Sequence, residues 1–463
     1  MSPNYLNNIC LNKMEKKQEF ANIDFFENCV LKENKNYPGY FILSSYYRKH
    51  ADPKRIYLSK LSIFDKDRGT VKRDKALIKD VLDILMTDKN PEEKKELLKK
   101  FKLTIKEKRA IGSMLGMAIG DAMGARYEFK KVRYNEIDLK GMDSKYSNFN
   151  MEPGQWTDDT SMGLCLADSL LMNKGELDPH DLMKRFLCWW YGGYNNAFKK
   201  NATPRHSVGL GGNISQSFKR YFKYKEEETG AGDENTSGNG SIMRNAAIPI
   251  CFHKIDEIKN ACEMARMQSR VTHQGKEAKE CCALLTHIIV NLLNRKNDED
   301  EKEEKKEKLK DILFNYTSSF NAEVDSVKYL ANSQIENNDN INRNWNWRVL
   351  PQYYYSKERV EKNPGYIGSY AMDNMVMSLN VLYTTESFKD AIIKIVNIRG
   401  DSDSVASVVG QMAGAFYPIE SIPGDWIKAI YNNDDGEIAL RGYMLSRLSE
   451  NASYIIKKDE ANK

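Results

Sequence analysis

Ile111–Gly124 reads I-G-S-M-L-G-M-A-I-G-D-A-M-G, with a glycine at every fourth position. Helical spacing places these glycines on one face of a helix. Each glycine costs about 1 kcal/mol relative to alanine inside a helix, so a stripe of them requires a compensating contact. A glycine face permits the close approach of another helix backbone. The stripe consists of Gly112, Gly116, Gly120 and Gly124.

A second stripe of small residues lies far downstream, at Ala406, Gly410 and Gly414. Its spacing of four residues matches the first stripe, so we expect the two helices to cross backbone to backbone. A membrane pair of the G-x-x-x-G type is the alternative. The first segment is too short to span a bilayer and Asp121 interrupts it, which favours a crossing inside a globular core.

Two acidic clusters lie next to these helices. Gln155–Ser161 reads Q-W-T-D-D-T-S, and Gly400–Ser404 reads G-D-S-D-S. Each cluster runs directly into an apolar segment with helical spacing, which predicts a loop that ends at a helix N-terminus, capped in the first cluster by Thr157 or Asp158. Taken alone, one such cluster is explained by an acidic cap that offsets the helix dipole. Two clusters of carboxylates and hydroxyls instead favour a site for Mg²⁺ or Mn²⁺, which prefer oxygen ligands.

The predicted helix crossing would bring the two clusters together. Four converging carboxylates repel one another, and two divalent cations would turn that repulsion into binding. Two such ions a few ångström apart can polarise substrate hydroxyls and activate water. The four carboxylates are Asp158, Asp159, Asp401 and Asp403.

The composition of the 463 residues, 41% hydrophobic and 29% charged, is ordinary for a globular protein. No run of eighteen apolar residues and no signal peptide occurs, so we expect no membrane partner and a cytoplasmic location, with a nuclear one left open. The first 110 residues are basic, but their acids are interspersed, which favours a solvated surface over a nucleic-acid arm. The eight cysteines form no C-x-x-C pair, which argues against zinc and a disulfide framework.

The pattern of elements predicts two regions. Residues 1–105 form an N-terminal extension of unknown role, for which a strand pair over Tyr37–Tyr47 and a helix over Ala76–Met86 would give an α+β structure. Residues 106–456 show helical periodicity with almost no alternation, so the fold class of this main domain is mainly α. A charged run at about 294–310 reads as an insertion that cannot contribute to a core.

The loop Ser237–Ser241 reads S-G-N-G-S. Backbone N–H groups exposed by two glycines are one way to hold a diphosphate. A plain turn explains the same letters equally well, and the loop is not a G-x-x-x-x-G-K-[ST] motif.

Six motifs within residues 108–450 resemble those of the ADP-ribosylglycohydrolases: G-D-A-M-G followed by Glu128, T-D-D-T, G-N-G-S-I-M-R, T-H-Q-G-K-E-A, G-S-Y-A-M-D-N and R-G-D-S-D-S. The resemblance implies a compact orthogonal all-α bundle with two Mg²⁺ or Mn²⁺ ions. It implies a hydrolase, expected as a monomer, that cleaves the N- or O-glycosidic bond between ADP-ribose and an acceptor. That acceptor would be a modified protein side chain or a small conjugate. A non-catalytic ADP-ribose-binding or structural member is the alternative.

The resemblance also assigns residues. The catalytic residues would be Glu128, Asp158 and Asp159. The metal ligands would be Thr157, Asp158, Asp159, Asp401, Asp403 and Ser404. The substrate-binding residues would be Ser237, Gly238, Asn239, Gly240, His273, Ser369 and Tyr370.

Two positions depart from the family pattern. Ser404 replaces a threonine and keeps the hydroxyl, whereas Arg399 replaces a glycine and would either crowd the loop or meet a phosphate. We expect Arg244 to brace the S-G-N-G-S loop by pairing with a carboxylate. His273 is equally well explained as a helix-start histidine satisfied by nearby backbone. A dimetal phosphoesterase is disfavoured, because none of the six histidines stands beside the acidic clusters.

Overall fold

The computed structural model describes residues 68–134, 136–142, 147–198, 201, 206–224, 236–296, 308–338, 341–349 and 357–460. The strand pair predicted over Tyr37–Tyr47 and most of the charged run at 294–310 lie outside these residues. The described part is mainly α, as the sequence predicts, with seventeen α-helices and one two-stranded hairpin.

The helices of the first half begin with two that precede the glycine-striped helix. They are α1 (Arg68–Leu85), α2 (Pro91–Leu98), α3 (Ile105–Gly124), α4 (Asp158–Met172), α5 (Pro179–Gly192), α6 (Gly212–Tyr224), α7 (Ala247–Cys251), α8 (Ile258–Arg270) and α9 (Lys276–Asn294).

The second half contains the hairpin and the remaining helices. They are α10 (Leu309–Ser318), α11 (Asp325–Ala331), β1 (Ile335–Asn338), β2 (Ile341–Asn344), α12 (Lys357–Lys362), α13 (Ala371–Tyr383), α14 (Phe388–Ile398), α15 (Ser402–Phe416), α16 (Gly424–Asp434) and α17 (Glu437–Glu460). None of the described helices is long and apolar enough to cross a membrane.

The helices α3 and α15 cross at the centre of the bundle, antiparallel and glycine to glycine. A Cβ placed on Gly116 would lie 2.0 Å from the carbonyl oxygen of Gly410, and one on Gly112 would lie 2.2 Å from that of Gly414. Real Cβ atoms do not approach backbone this closely, so only glycine permits the contact. The predicted crossing of the two small-residue stripes is confirmed.

The crossing fixes where the two helices meet end to end. A Cβ on Gly124, the last residue of α3, would lie 2.4 Å from the Cα of Asp403 in the first turn of α15. The hydroxyl of Ser402 donates to the carbonyl of Gly124 at 2.6 Å. The C-terminal end of one glycine helix therefore lies directly against the second acidic cluster.

The helices α1 and α2 belong to the same bundle, although they lie within the predicted N-terminal extension. Leu82, Leu85 and Leu98 are buried in the common core. The next helix, α3, begins at a capping box in which Thr104 and Glu107 each accept a hydrogen bond from the other's backbone N–H. The helical end of residues 1–105 thus packs against the main domain.

The hairpin is the exception to the helical architecture of the described part. Its strands are antiparallel, with Ile335 opposite Asn344 and Asn338 opposite Ile341. The side chains of Arg343 on β2 and of Trp345 both donate to the buried carboxylate of Glu336, and these bonds anchor the hairpin.

Candidate active site

A buried carboxylate on α3 anchors the first acidic cluster. Asp121 accepts hydrogen bonds from the backbone N–H of Thr157 and of Thr160, each at 2.9 Å. It also accepts from the hydroxyls of the same two threonines, at 2.8 and 2.7 Å. These bonds fix the entrance to α4, so the predicted loop running into a helix N-terminus is confirmed.

Sequence reasoning missed Asp121 as a site residue and treated it only as an interruption of an apolar segment. The signal that could have found it is its position directly after Gly120, within the stripe where the two helix backbones are in close contact. A charged side chain at such a position cannot reach solvent. It must be satisfied by whatever the neighbouring helix brings.

The carboxylates of the two clusters meet in two adjoining groups. One oxygen from each of Asp121, Asp159 and Asp403 lies within 4.8 Å of the others. One oxygen from each of Glu128, Asp401 and Asp403 does the same. Asp403 is common to both groups, and its grouping with Asp159 confirms that the two clusters approach each other, whereas Asp158 belongs to neither group.

The pKa values of these carboxylates show that burying them together without a cation destabilises their ionised forms. Burial, followed by repulsion from Asp401 and Asp158, raises the pKa of Glu128 well above its usual value. Burial, followed by repulsion from Asp121, likewise raises the pKa of Asp159. Burial, followed by repulsion from Glu128 and Asp159, does the same to the pKa of Asp403.

The donor set fits a hard divalent cation. Oε2 of Glu128 and Oδ1 of Asp159 are buried and have no hydrogen-bond partner among the described residues. Buried carboxylate oxygens without partners are unfavourable unless a ligand satisfies them. The candidate ligand atoms in the two groups are all oxygens, the donors that Mg²⁺ and Mn²⁺ prefer.

Three of the predicted ligands, Thr157, Asp158 and Ser404, are not among the residues of these two groups. Oδ1 of Asp158 lies 2.0 Å from where a Cβ on Gly209 would be, so this carboxylate fills the space that the glycine leaves. The hydroxyl of Thr157 is 3.3 Å from Oδ2 of Asp159. The hydroxyl of Ser404 faces the sulfur of Met243 at 3.6 Å.

Glu128 is carried by a segment that lies against the second acidic loop. The N–H of Phe129 donates to the carbonyl of Gly400 at 2.7 Å, and the N–H of Gly400 donates to the carbonyl of Lys130 at 2.9 Å. This short antiparallel contact holds the Glu128 segment beside Asp401.

The S-G-N-G-S loop packs against the stretch that precedes α13. The N–H of Asn239 donates to the carbonyl of Ser369, and the N–H of Ala371 donates to that of Ser237, each at 2.9 Å. The side-chain amide of Asn239 donates to Oδ2 of Asp401 at 3.0 Å. Residues 237–240 and 369–370 are therefore brought together, and Asn239 links them to the carboxylates.

His273 forms a wall behind this loop. Only 2% of its surface is exposed, and its Nε2 lies 3.4 Å from where a Cβ on Gly238 would be. Its Nδ1 lies 2.8 Å from the hydroxyl of Thr272, which accepts a hydrogen bond from Arg244. Burial lowers the pKa of His273 to about 3, so the ring is neutral near pH 7.

The remaining predicted substrate residues use their side chains inside the protein. The hydroxyl of Ser237 accepts from the N–H of Ala278 at 3.2 Å. The hydroxyl of Tyr370 contacts the carboxylate of Glu277 and accepts from Arg343 at 2.8 Å. The hydroxyl of Ser369 is buried and has no hydrogen-bond partner among the described residues.

The prediction that Arg244 pairs with a carboxylate is wrong. Its guanidinium donates to the side-chain and backbone oxygens of Gln268, both at 3.0 Å, and to the hydroxyl of Thr272 at 2.8 Å. It also lies over the ring of Phe186, at 4.5 Å. The nearby carboxylates are grouped with one another, so neutral oxygens satisfy this buried cation.

Of the two arrangements that the sequence left open for Arg399, crowding of the acidic loop is not observed, and contact with a phosphate stays a prediction. Its backbone has φ 69° and ψ −147°. Its guanidinium turns over the ring of Tyr127 at 4.9 Å and approaches Oδ2 of Asp138 at 3.3 Å. The side chain thus leaves the acidic loop uncrowded and contacts the segment that carries Glu128.

Known proteins are similar to this chain over most of its length. Residues 103–453 match the family model of the ADP-ribosylglycohydrolases. ADP-ribosylarginine hydrolase Tri1 of Serratia proteamaculans is 26% identical over 356 residues, which cover 76% of this chain and 81% of that protein. ADP-ribosyl-[dinitrogen reductase] glycohydrolase of Rhodospirillum rubrum is 25% identical over 334 residues, with coverage of 71% and 92%.

A solved structure agrees with these relatives. An ADP-ribosylglycohydrolase-related protein complex contains a chain that superposes with a TM-score of 0.56 at 25% identity, covering 75% of this chain and 100% of that one. The matched region contains every carboxylate of the site, from Asp121 to Asp403. The chain therefore belongs to the ADP-ribosylglycohydrolase family, a family of glycosidic-bond hydrolases.

Proposed function

We propose that this chain is a metal-dependent hydrolase that releases ADP-ribose from a modified arginine side chain through a dinuclear Mg²⁺ or Mn²⁺ centre. The observation that carries the metal centre is that Asp403 belongs to both carboxylate groups, so the carboxylates form two adjoining groups that would each hold one ion. Arginine is the first acceptor to test, because Tri1 of Serratia proteamaculans is named for ADP-ribosylarginine. The other acceptors are a serine side chain and small ADP-ribose conjugates.

The free oxygens decide which residues would hold the ions directly. Both oxygens of Asp121 already accept hydrogen bonds from Thr157 and Thr160, so Asp121 orients the site rather than leading the coordination. Oε2 of Glu128 and Oδ1 of Asp159 have no hydrogen-bond partner among the described residues, so they are available to an ion or to a water molecule. The proposed ligand set is Thr157, Asp158, Asp159, Asp401, Asp403 and Ser404, with Glu128 beside it.

Divalent ions, when bound, supply positive charge that stabilises developing negative charge on oxygen and lowers the pKa of water. The protein's own contribution is the placement of carboxylates around the reacting carbon. Oε2 of Glu128 is buried without a hydrogen-bond partner among the described residues, and the pKa of its carboxyl is raised well above the usual value, so this side chain is suited to take up a proton. We assign it the proton from the attacking water, with Asp158 and Asp159 as the other candidates.

The loop Ser237–Gly240 would hold the diphosphate. The bonds that tie it to Ser369 and Ala371 run through the residues on either side of Gly238, so the N–H of Gly238 lies outside that ladder. His273 would contribute a neutral ring next to the same backbone, and Ser369 and Tyr370 would flank the distal ribose. Neutral donors of this kind can bind an anion without adding another buried charge to the site.

A substrate panel tests the proposal. Arginine-linked, serine-linked and O-acetyl ADP-ribose are incubated with the protein in Mg²⁺, Mn²⁺ or EDTA, and released ADP-ribose is quantified. We expect release from the arginine conjugate with metal and none with EDTA. Asp403→Asn should reduce turnover by about 100-fold or more, whereas the exposed Asp256→Asn serves as the matched control. Full activity in EDTA refutes the metal centre, and binding of ADP-ribose without any release favours the non-catalytic alternative.

A further inference from the structure

Arg399 has a backbone conformation that side chains rarely adopt. Its φ of 69° combines with a ψ of −147°, a region that glycine enters freely and other residues enter only under strain. Two other positive-φ residues, Lys102 and Asp435, are milder, since their ψ values of 33° and 31° make them ordinary left-handed helical residues. A strained arginine at this position needs a contact that compensates for it.

The side chain of Arg399 contacts those of Tyr127 and Asp138, and we name these three side chains the Tyr127 clamp. The guanidinium of Arg399 lies 4.9 Å from the ring centre of Tyr127 and 3.3 Å from Oδ2 of Asp138. The hydroxyl of Tyr127 donates to Oδ1 of the same carboxylate at 2.8 Å. Each member of the clamp therefore contacts the other two.

Arg399 is the member that comes from a different part of the chain. Lys130 and Arg126 also lie over the ring of Tyr127, at 5.2 and 5.3 Å. They belong to the same segment as Tyr127, so their contacts cannot tie that segment to anything else. Arg399 sits two residues before Asp401, and its contacts join the Glu128 segment to the second acidic loop.

The clamp acts together with backbone bonds on the other side of Glu128. The N–H of Phe129 donates to the carbonyl of Gly400, and that of Arg133 donates to the carbonyl of Ile398. Oε2 of Glu128 is buried and has no hydrogen-bond partner among the described residues, so this oxygen does not help to hold the side chain in place.

We propose that Arg399 is a positioning residue, whose guanidinium closes over Tyr127 and Asp138 and thereby holds Glu128 beside Asp401 and Asp403. The proposal rests on the proposed function for its effect on turnover. Its structural part concerns the free protein and needs no substrate.

Hydrogen–deuterium exchange of the full chain tests the structural part. In Arg399→Gly, the strain is relieved and the clamp is lost, so the melting temperature should not fall while peptides covering residues 126–134 exchange faster. Arg399→Lys keeps the charge but loses the planar guanidinium that lies over the ring of Tyr127. Its exchange rate in this segment should therefore lie between those of wild type and Arg399→Gly. Lys102→Gly, a positive-φ position away from the site, is the control and should leave exchange of this segment unchanged.

Turnover tests the functional part. With ADP-ribosylarginine as the probe, Arg399→Gly should lower kcat roughly ten- to a hundred-fold with little change in KM, because a misplaced catalytic group slows the reaction more than it weakens binding. Wild-type exchange in Arg399→Gly, or faster exchange with wild-type kcat, overturns the proposal. Failure of the wild-type protein to release ADP-ribose would refute the proposed function instead, and the exchange comparison would still decide whether the clamp exists.

Discussion

Gly116 and Gly410 face each other so closely that a Cβ on Gly116 would lie 2.0 Å from the carbonyl oxygen of Gly410. This contact lies in the middle of the crossing that brings the carboxylates of α3, α4 and α15 together. The arrangement of the carboxylates therefore depends on the close approach of the two helix backbones. Changes at the stripe should act on both stability and activity.

Gly116→Ala should destabilise the fold by about 3 kcal/mol or more, since overpacking against rigid backbone allows no side chain to move away. The free energy of unfolding in urea measures this. Gly212→Ala is the matched control, because a Cβ there meets no atom of the described residues within 4 Å. It should be neutral or stabilise the protein by about 0.5 kcal/mol. Equal stability of the two variants would contradict the close crossing.

The site trades stability for function, which Asp159→Asn should reveal. The change removes one of several carboxylates that repel each other, and Oδ1 of Asp159 has no hydrogen-bond partner to lose among the residues that the structure describes. In EDTA we expect its melting temperature to equal or exceed that of wild type. Added Mn²⁺ should raise the melting temperature of wild type but not that of the variant. A variant that melts well below wild type in EDTA would contradict the repulsion.

The sequence could predict the crossing because glycines at every fourth position are a local pattern that indicates the close approach of a second helix. It could not identify the role of Asp121, whose partners Thr157 and Thr160 lie 36 and 39 residues further on. The partners of Arg244 were predicted wrongly for a related reason. A buried cation suggests a carboxylate, but the chain's topology decides which oxygens are near, and here they belong to Gln268 and Thr272.

The approach of residues 237–240 to residues 369–370 shows the same limit. The two stretches are tied by backbone bonds such as that from Asn239 to Ser369, which leave no trace in side-chain identity. Only the resemblance to a family suggested that they share a site. The hairpin β1–β2 was also missed, because its strands are four residues each and rich in asparagine, which is depleted in strands.

His273 should make stability depend on pH below neutrality. Its pKa is about 3 in the folded protein, lower than the usual 6.5, so the unfolded chain binds the proton more readily. The neutral ring's contribution is complete above pH 6.5 and is lost as the pH falls toward 3. Compared with His273→Gln, wild type should lose a few kcal/mol of unfolding free energy between pH 7 and pH 4. Parallel pH profiles for the two proteins would contradict a buried neutral ring.

The hydrogen bonds around Thr272 predict which nitrogen of His273 carries the proton. The guanidinium of Arg244 can only donate, so the hydroxyl of Thr272 accepts from it and keeps its own hydrogen for Nδ1 of His273. The ring proton then sits on Nε2, which faces the backbone of Gly238. Nitrogen-15 NMR of histidine-labelled protein should show the Nε2–H form, and Thr272→Val should shift the ring toward a mixture of tautomers. Thr272→Ser keeps the hydroxyl and should restore the single form. An Nδ1–H ring in wild type would contradict the prediction. Thr272 would then direct its hydrogen elsewhere, and Nε2 would accept rather than donate in the substrate loop.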